Sequence, residues 1–285
     1  MNELQKRVAL FASIEPGIAF WSREIAERGA SATYDRLIGG GYDSIKYGHL
    51  IEKISTFNCA QALESIEKAG GVFITPESTD WPKAVEDLAV PPIALIVKGD
   101  SAILSERSLA IVGTRNPTPY GIRIAGDFAA GFVDRDWQII SGGAYGVDTA
   151  AHRGALVAEG RTIAVIASGI DIQYPVGNSR LFAEICENGA IVSEVMPGTI
   201  AMPHRFLTRN RLIAALSVST LVVEAAFRSG SLRTARDAAE LMKPVMAIPG
   251  PINSPSSEGC HRLIGERAAE LVTSVADAVE LISSL

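Results

Sequence analysis

The chain has 285 residues, of which 47% are hydrophobic and 20% charged, and its formal net charge is −6 with a pI near 5.4. An acidic chain has no overall attraction to nucleic acids or anionic membranes, so any site for a polyanion has to be local. No apolar run reaches transmembrane length, and no signal-peptide pattern opens the chain. The cysteines Cys59, Cys186 and Cys260 form no C-x-x-C pair, which is typical of a reduced protein. We therefore expect a cytoplasmic protein with no membrane partner.

The first 70 residues predict helices. Apolar residues recur at helical spacing in VALFASI and in IEKISTFNCAQALESIEKAG, and the glycine-rich stretch GGGYDS separates these segments. The following GGVFITP predicts a short strand, and Pro91-Pro92 precedes another apolar strand. The sequence thus predicts a small helical domain over residues 1–70 and a second domain over residues 71–285.

From Ser108 onward, predicted strands and helices alternate regularly. Thr118-Pro119 predicts the start of the first of these helices, because a capping residue precedes proline at the first helical position. Short strands rich in Val, Ile and Ala that alternate with helices are typical of a parallel sheet covered on both faces. The sequence therefore predicts a doubly wound α/β domain. Its strands are SLAIVGT, WQIIS, RTIAVIAS, AIVSE, TLVVEAA and PVMAIPG.

Glycine and polar residues collect where the predicted strands end. In open α/β sheets ligands bind at the carboxyl ends of the strands, and glycines there let backbone N–H groups approach a phosphate. The loops therefore predict a phosphate-binding rim. It consists of Gly113-Thr114-Arg115, the loop Ser141, Gly142, Gly143 and Ala144, the turn Ser168-Gly169, and Ser229-Gly230-Ser231.

Arginine is concentrated near the start of one predicted helix, RFLTRNRLIAALS. Arg205, Arg209 and Arg211 surround Asn210, and residues 201–236 contain six arginines against one acid, which leaves a local net charge of +5. Cations at a helix N-terminus are unfavourable unless an anion binds there. The cluster therefore predicts an anionic ligand.

Several enzyme classes lack their motifs in this sequence. The dinucleotide fingerprint G-x-G-x-x-G is missing after the first of these strands, because T-R-N-P follows Gly113. The P-loop motif G-x-x-x-x-G-K-[ST] is also missing, so the sequence disfavours both dinucleotide and P-loop chemistry. No G-x-S-x-G surrounds Ser141, so we interpret Asp148 and His152 as structural. We expect Glu224 to pair with an arginine of the cluster, the alternative being a carboxylate that acts on a glycosidic bond. The histidines have no ligand-spaced partners, so we predict no metal site and no cofactor.

Taken together, the motifs resemble the DNA-processing protein A family (DprA, also called Smf). The similarity runs from about residue 71 to the C-terminus. It implies an extended Rossmann-like domain preceded by a SAM-like helical domain, and a homodimer that is not an enzyme. It also implies sequence-independent binding of single-stranded DNA, protection of incoming DNA in natural transformation, and loading of the RecA recombinase. The matching strings are IVGTRNPTPYG, IISGGAYGVDTAAH, TIAVIASGIDIQYPVGN, VSEVMPGT, TRNRLIAALS, LVVEAAFRSGSLRTA and AIPGPINSPSSEGCHRLI.

The resemblance also implies which residues contact DNA. Arg115 and the loop Ser141, Gly142, Gly143 and Ala144 would contact phosphates, and Ser229 and Ser231 belong to the same rim. Arg209, Asn210 and Arg211 would line the same pocket. Apart from the resemblance, four aromatic residues are candidates for base stacking, and core packing explains each of them equally well: Tyr120, Tyr145, Tyr174 and Phe206.

This sequence departs from the family pattern at three places. Val176 stands where a cation usually follows Tyr-Pro, and Leu207 stands where proline usually follows Phe206. Arg233 replaces an aliphatic residue, and we expect it to compensate for the lost cation. The chain also leaves no room for a C-terminal winged helix, so we expect none. The alternative is a LOG-type phosphoribohydrolase, but its P-G-G-x-G-T-x-x-E motif is incomplete at Pro249-Gly250-Pro251.

Overall fold

Five helices form the first part of the chain in the computed structural model, which describes residues 1–283. Their shared core includes the buried Leu10, Trp21, Leu37 and Ile54. Helix α1 begins with a capping box, because Asn2 accepts from the backbone N–H of Gln5 and Gln5 accepts from that of Asn2. The helices are α1 (Glu3–Ser13), α2 (Ala19–Arg28), α3 (Ala30–Ile38), α4 (Ser44–Ser55) and α5 (Cys59–Lys68).

One nine-stranded sheet organises the rest of the described chain. Its order is β1-β2-β6-β5-β4-β3-β7-β8-β9, with β1–β2 and β2–β6 antiparallel and the other neighbouring pairs parallel. The predicted mostly parallel sheet is confirmed. The strands are β1 (Val72–Ile74), β2 (Leu95–Gly99), β3 (Ser108–Val112), β4 (Gln138–Ser141), β5 (Thr162–Ile166), β6 (Gly189–Ser193), β7 (Ser219–Val222), β8 (Val245–Ala247) and β9 (Glu270–Leu271).

Helices cover both faces of this sheet, as the doubly wound fold requires. Alternate residues of β3 point to opposite faces. Ala110 and Val112 pack in the core that holds α9 and α10, and Leu109 and Ile111 pack in the core that holds α6 and α7. The helices are α6 (Pro119–Val133), α7 (Val147–Val157), α8 (Ser179–Asn188), α9 (Pro203–Leu216), α10 (Ser231–Glu240), α11 (Glu258–Gly265) and α12 (Val275–Ser283).

The strand order reverses at β3, and this reversal positions the site. From β3 the chain adds β4, β5 and β6 on one side, and then returns through α9 to place β7 on the other side. Val112 of β3 lies beside Val222 of β7, so the loops that follow these two strands diverge from neighbouring points. Such a reversal opens a crevice at the carboxyl edge of the sheet, where ligands bind in this class of fold.

The helical segment packs directly against the sheet domain. Arg7 is 4% exposed, and its guanidinium donates to the carbonyl oxygen of Ile93 at 3.2 Å and to Glu77 at 2.6 Å. Glu15, in the loop between α1 and α2, accepts two hydrogen bonds from Arg205 of α9. Because α9 also borders the crevice, the helical segment contacts an element of the site.

Candidate nucleic-acid interface

A cleft of about 690 Å³ opens at the carboxyl ends of β3 and β7. A second cavity of about 210 Å³ adjoins it and shares Arg115, Tyr174 and Phe206 with it. The cleft is therefore at the strand reversal, where the sequence predicts a phosphate-binding rim. Among the residues that line it are Gly113, Thr114, Ala144, Asp148, Arg209, Asn210, Arg228, Ser229 and Ser231.

Arg115 stands in the wall between the two cavities. Its side chain is exposed, and its guanidinium carbon lies 4.9 Å from the centre of the Phe206 ring. The Phe206 ring in turn lies 5.6 Å from the Tyr174 ring. Both backbone groups of Thr114 are engaged, since its N–H donates to the Glu224 carbonyl oxygen at 2.7 Å and its own carbonyl oxygen accepts from Val147 at 3.1 Å. The loop therefore holds the Arg115 cation in place beside two aromatic rings.

Arg209 lines the cleft over the glycine loop that follows β4. A Cβ atom added to Gly142 would lie 1.8 Å from Nη1 of Arg209, so the loop leaves room for this guanidinium only because residue 142 is glycine. Burial lowers the pKa of Arg209 to about 10, with Arg115 lowering it further and Asp148 opposing the shift. Arg209 thus stays charged at neutral pH. Its Nε and Nη1 are buried and have no hydrogen-bond partner among residues 1–283, an arrangement that favours an anionic ligand.

Asp148 already occupies two backbone amides of the same loop. Its carboxylate accepts from the N–H groups of Gly142 at 3.2 Å and of Ala144 at 3.3 Å. Burial raises the pKa of Asp148, and Arg209 and these two N–H groups oppose the rise. The two amides that the sequence suggests for a phosphate are therefore engaged by an internal carboxylate. At this loop the free positive charge is on Arg209.

The four loop residues named from the sequence differ in where they face. Gly142 and Ala144 line the cavities. The Ser141 hydroxyl is buried and donates to the carbonyl oxygen of Ile111 at 2.6 Å, and the Gly143 carbonyl oxygen accepts from Asn178 at 3.0 Å. Ser141 and Gly143 hold the loop in shape and line neither cavity.

The expectation that Arg211 lines the same pocket as Arg209 is wrong. Arg211 donates to Glu194 at 2.7 Å, and both side chains are nearly buried. Burial raises the pKa of Glu194, and the Arg211 cation opposes the rise. Residues two apart on a helix point in nearly opposite directions, which separates Arg211 from Arg209. Arg205 lies four residues before Arg209, on the same side of the helix, and is engaged instead by Glu15. Of the three clustered arginines, only Arg209 reaches the cleft.

The opposite wall of the cleft is polar and comes from the loop after β7. The Asn210 side-chain amide donates to the carbonyl oxygen of Gly230 at 3.3 Å, and the Ser229 and Ser231 hydroxyls lie 2.7 Å apart. Arg228, exposed and in the same wall, is a residue that the sequence reasoning did not single out. Its position beside Ser229 within the arginine-rich segment was the available signal.

The expected pairing of Glu224 with an arginine is also wrong. Its carboxylate accepts from the backbone N–H of Thr118 at 2.8 Å, from the Thr118 hydroxyl at 2.7 Å and from the Ser256 hydroxyl at 3.3 Å. The end of β7 lies next to the loop after β3, so Glu224 holds the first turn of α6 instead of entering the cleft. His152 is buried as well, with Nδ1 2.7 Å from the Thr162 hydroxyl, and burial lowers its pKa to about 3. Its geometry is that of a structural residue.

Comparison with known proteins assigns the chain to a family. Residues 72–283 match the family model of DNA recombination-mediator protein A. The chain belongs to this family. It is 43% identical to the DNA processing protein DprA of Mycobacterium tuberculosis over 239 residues, which are 79% of this chain and 61% of that protein. The matched part thus spans less than two thirds of that relative. DprA of Bacillus subtilis is 35% identical over 241 residues, which are 84% of this chain and 81% of that protein.

Two solved DprA structures share the fold. The X-ray structure of DprA from Streptococcus pneumoniae superimposes with a TM-score of 0.76 at 35% identity, and covers 81% of this chain and 80% of that one. The structure of DNA processing protein A from Helicobacter pylori, which gives insight into how that protein binds single-stranded DNA, has a TM-score of 0.68 at 33% identity. It covers 74% of this chain and 96% of that one.

Two departures of this chain from the family pattern can be located. Val176, where the resemblance implies a cation, is 75% exposed and lines the smaller cavity. Arg233 donates to Asp237 on its own helix at 2.7 Å and lines neither cavity. The structure therefore gives Arg233 no role as a replacement for the missing cation.

Within the described part of the chain, no helix is both long and apolar enough to span a bilayer. Over the same residues, no three His, Cys, Asp or Glu side chains are grouped so that they could hold a metal ion.

Proposed function

We propose that this chain binds single-stranded DNA, without sequence preference, in the cleft walled by Arg115, Phe206 and Arg209. The observation that carries the proposal is the Arg209 guanidinium, which is buried, charged and without a hydrogen-bond partner at Nε and Nη1 among the described residues. A phosphate supplies both the charge and the acceptors that such a group lacks. Family membership and the Helicobacter pylori structure support the same ligand.

The cleft offers separate features to the backbone and to the bases. Arg115 and Arg228 are exposed and would contact phosphates, while Arg209 would contact a phosphate that enters more deeply. The Phe206 and Tyr174 rings would stack on unpaired bases, whose faces a duplex does not expose. Tyr120 is not available for stacking, because it packs in the core and its hydroxyl donates to Pro249. We expect the cleft to hold about four to eight nucleotides.

We further propose that binding involves no chemical step. Three acid or base side chains near the glycine loop are engaged by the protein itself: Asp148 by backbone amides, Glu224 by Thr118 and Ser256, and His152 by Thr162. The chain would protect DNA entering the cytoplasm in natural transformation and pass it to a RecA-type recombinase. A homodimer would link two clefts and so raise the apparent affinity for a long strand.

The decisive experiment is fluorescence anisotropy of a labelled oligo-dT over a salt series, with duplex DNA of equal length as competitor. We expect preference for the single strand and a steep loss of affinity with salt. Arg115→Ala and Arg209→Ala should each weaken binding by roughly 10-fold to 150-fold, the loss of one hydrogen bond to a charged group, and should flatten the salt dependence. Arg161→Ala is the matched control, because Arg161 is half exposed, pairs with Glu106 and precedes β5 at the opposite edge of the sheet.

Three results would contradict the proposal. If both cleft variants keep wild-type affinity while the wild type binds, the strand lies elsewhere. If the protein releases free base from a nucleoside monophosphate, the cleft is a hydrolase site. If RecA binds the protein while no DNA affinity is measurable at low salt, the chain is a scaffold without a functional cleft.

A further inference from the structure

Four aromatic side chains of the helical segment form one cluster, away from the cleft. Phe20, Trp21, Tyr42 and Tyr47 are all in mutual ring contact, with centroid distances between 4.9 Å and 6.2 Å. The Phe20 and Tyr47 rings are nearly parallel, at an interplanar angle of 12°. The cluster lies outside residues 72–283, the part that matches the family model.

Packing of the helical core explains only part of this cluster. Trp21 is 3% exposed and belongs to the core, whereas Phe20 is 42% exposed. Ile18 and Ile45, each two residues along the chain from a ring of the cluster, are also exposed, at 43% and 96%. A large ring exposed on the surface, stacked on a second ring, is available to a ligand with a flat face.

Cations lie over two of the four rings. The guanidinium carbon of Arg36 is 5.2 Å from the centre of the Tyr42 ring, and Nζ of Lys46 is 5.1 Å from the centre of the Tyr47 ring. Both cationic side chains are exposed. The neighbouring carboxylate of Glu24 is only 16% exposed and is engaged by Arg28 and the Tyr42 hydroxyl. Exposed aromatic rings flanked by cations are the combination with which proteins bind single-stranded nucleic acid.

The cluster is connected to the cleft by a short path. Gly17 lies against α9, since a Cβ atom added to it would be 2.6 Å from Cγ2 of Thr208. Phe20 follows three residues later, at most about 10 Å along the chain, and Arg209 follows Thr208 directly in the sequence. Glu15 fixes this junction through its paired hydrogen bonds with Arg205.

We propose that Phe20, Tyr42 and Tyr47, with Arg36 and Lys46, form a second contact for single-stranded DNA, here named the aromatic–cation patch. It binds the strand after it leaves the cleft, with bases on the exposed ring and phosphates on the two cations. The inference rests on the proposed function of the cleft. Its specific consequence is that affinity depends on oligonucleotide length through the helical segment.

The test compares a short oligo-dT of about six nucleotides, which fills the cleft, with a long one of about twenty. Phe20→Leu removes the exposed ring but keeps an apolar side chain, and we expect it to weaken binding of the long strand about fivefold or more. Arg36→Ala combined with Lys46→Ala should lower the salt slope for the long strand by about 1.4, or 0.7 for each contact. The short strand should bind all these variants as it binds the wild type. Lys68→Ala is the control, because Lys68 is 74% exposed on α5 of the same segment.

The outcomes separate this inference from the proposed function. If the wild type binds neither oligonucleotide, the cleft itself fails as a DNA site. If the wild type binds both and the patch variants lose no affinity for the long strand, the patch inference is overturned while the cleft remains. If the variants lose RecA binding but keep full affinity for the long strand, the patch is a protein-docking surface and the inference is overturned.

A measurement on the unaltered protein avoids any dependence on the folding of the variants. Iodouracil placed near one end of the long strand should crosslink to Phe20 or Tyr47 on irradiation, and peptide mapping identifies the site. Crosslinks confined to the cleft residues at every position of the iodouracil would overturn the inference.

Discussion

Replacing Gly142 with alanine should weaken DNA binding by displacing a single neighbouring side chain. Gly142 has no left-handed backbone conformation, so alanine is compatible with its φ angle. The added Cβ would lie 1.8 Å from Nη1 of Arg209 and 2.6 Å from its Cζ and Nη2. Ordinary contact begins at 3.4 Å, and the difference from 1.8 Å requires the guanidinium to retreat by about 1.6 Å. A hydrogen bond to a phosphate does not tolerate a displacement of that size.

The size of the effect follows from the contact that is lost. A hydrogen bond to a charged group contributes about 1.5–3 kcal/mol, which corresponds to an affinity roughly 10-fold to 150-fold weaker. Arg209→Ala removes the same contact. The double variant should therefore bind no more weakly than Arg209→Ala alone, because the two substitutions act on one interaction.

The assay is anisotropy with labelled oligo-dT for the four proteins of this cycle, alongside urea unfolding to establish that each is folded. Gly265→Ala is the matched control, since no atom lies within 4 Å of a Cβ added at the end of α11. Wild-type affinity in Gly142→Ala would refute the reasoning. So would a double variant whose loss equals the sum of the two single losses, because the two side chains would then act independently.

Two further predictions concern stability. Burial lowers the pKa of His152 to about 3, whereas this histidine titrates near pH 6.5 in the unfolded chain. The contribution of neutral His152 to stability is therefore fully present above about pH 6.5 and is lost as the pH falls toward 3. Between pH 7 and pH 5 this histidine should lower the free energy of unfolding of the wild type by about 2 kcal/mol. In urea unfolding at the two pH values, the decrease for His152→Gln should therefore be smaller than the wild-type decrease by about 2 kcal/mol. An equal loss in both proteins would exclude His152 as the cause. Glu224→Ala should lower the free energy of unfolding by about 2–4 kcal/mol, because the Thr118 N–H and hydroxyl lose a buried acceptor. Calorimetry that shows a wild-type melting temperature for this variant would contradict the assignment.

The elements that the sequence predicted best are those decided by local patterns. Thr118 caps α6 by accepting from the N–H of Gly121 at 3.2 Å, and Pro119 is the first helical residue, as capping chemistry predicted. Runs of Val, Ile and Ala became strands buried on both faces, because only covered parallel strands bury such runs completely. The position of the cleft also followed, since the carboxyl ends of parallel strands meet at one edge.

The contacts within the cleft were predicted less well, because they depend on direction and on residues distant in the sequence. Arg205, Arg209 and Arg211 form one basic cluster in the sequence, but their surroundings differ: Arg205 pairs with Glu15, Arg211 pairs with Glu194, and Arg209 lines the cleft. Helical periodicity places Arg211 nearly opposite Arg209, so that separation is predictable from the sequence, whereas Arg205 shares a side of the helix with Arg209 and is separated from the cleft by its tertiary contact with Glu15. The partner of Glu224, in contrast, lies 106 residues away at Thr118. Nothing local to either residue specifies that contact.

By itself, the sequence determined the strand and helix pattern, the edge of the sheet that carries the site, and the family, because periodicity, capping and motif strings are local properties of a chain. Tertiary structure alone decided which charges remain available. Asp148 takes the amides of Gly142 and Ala144, Glu194 takes Arg211, and Glu15 takes Arg205. A buried charge is tolerated only with a partner, and the three-dimensional packing of elements far apart in the sequence chooses that partner. Among residues 1–283, Nε and Nη1 of Arg209 lie over the glycine loop without a hydrogen-bond partner, and this makes Arg209 the proposed phosphate ligand.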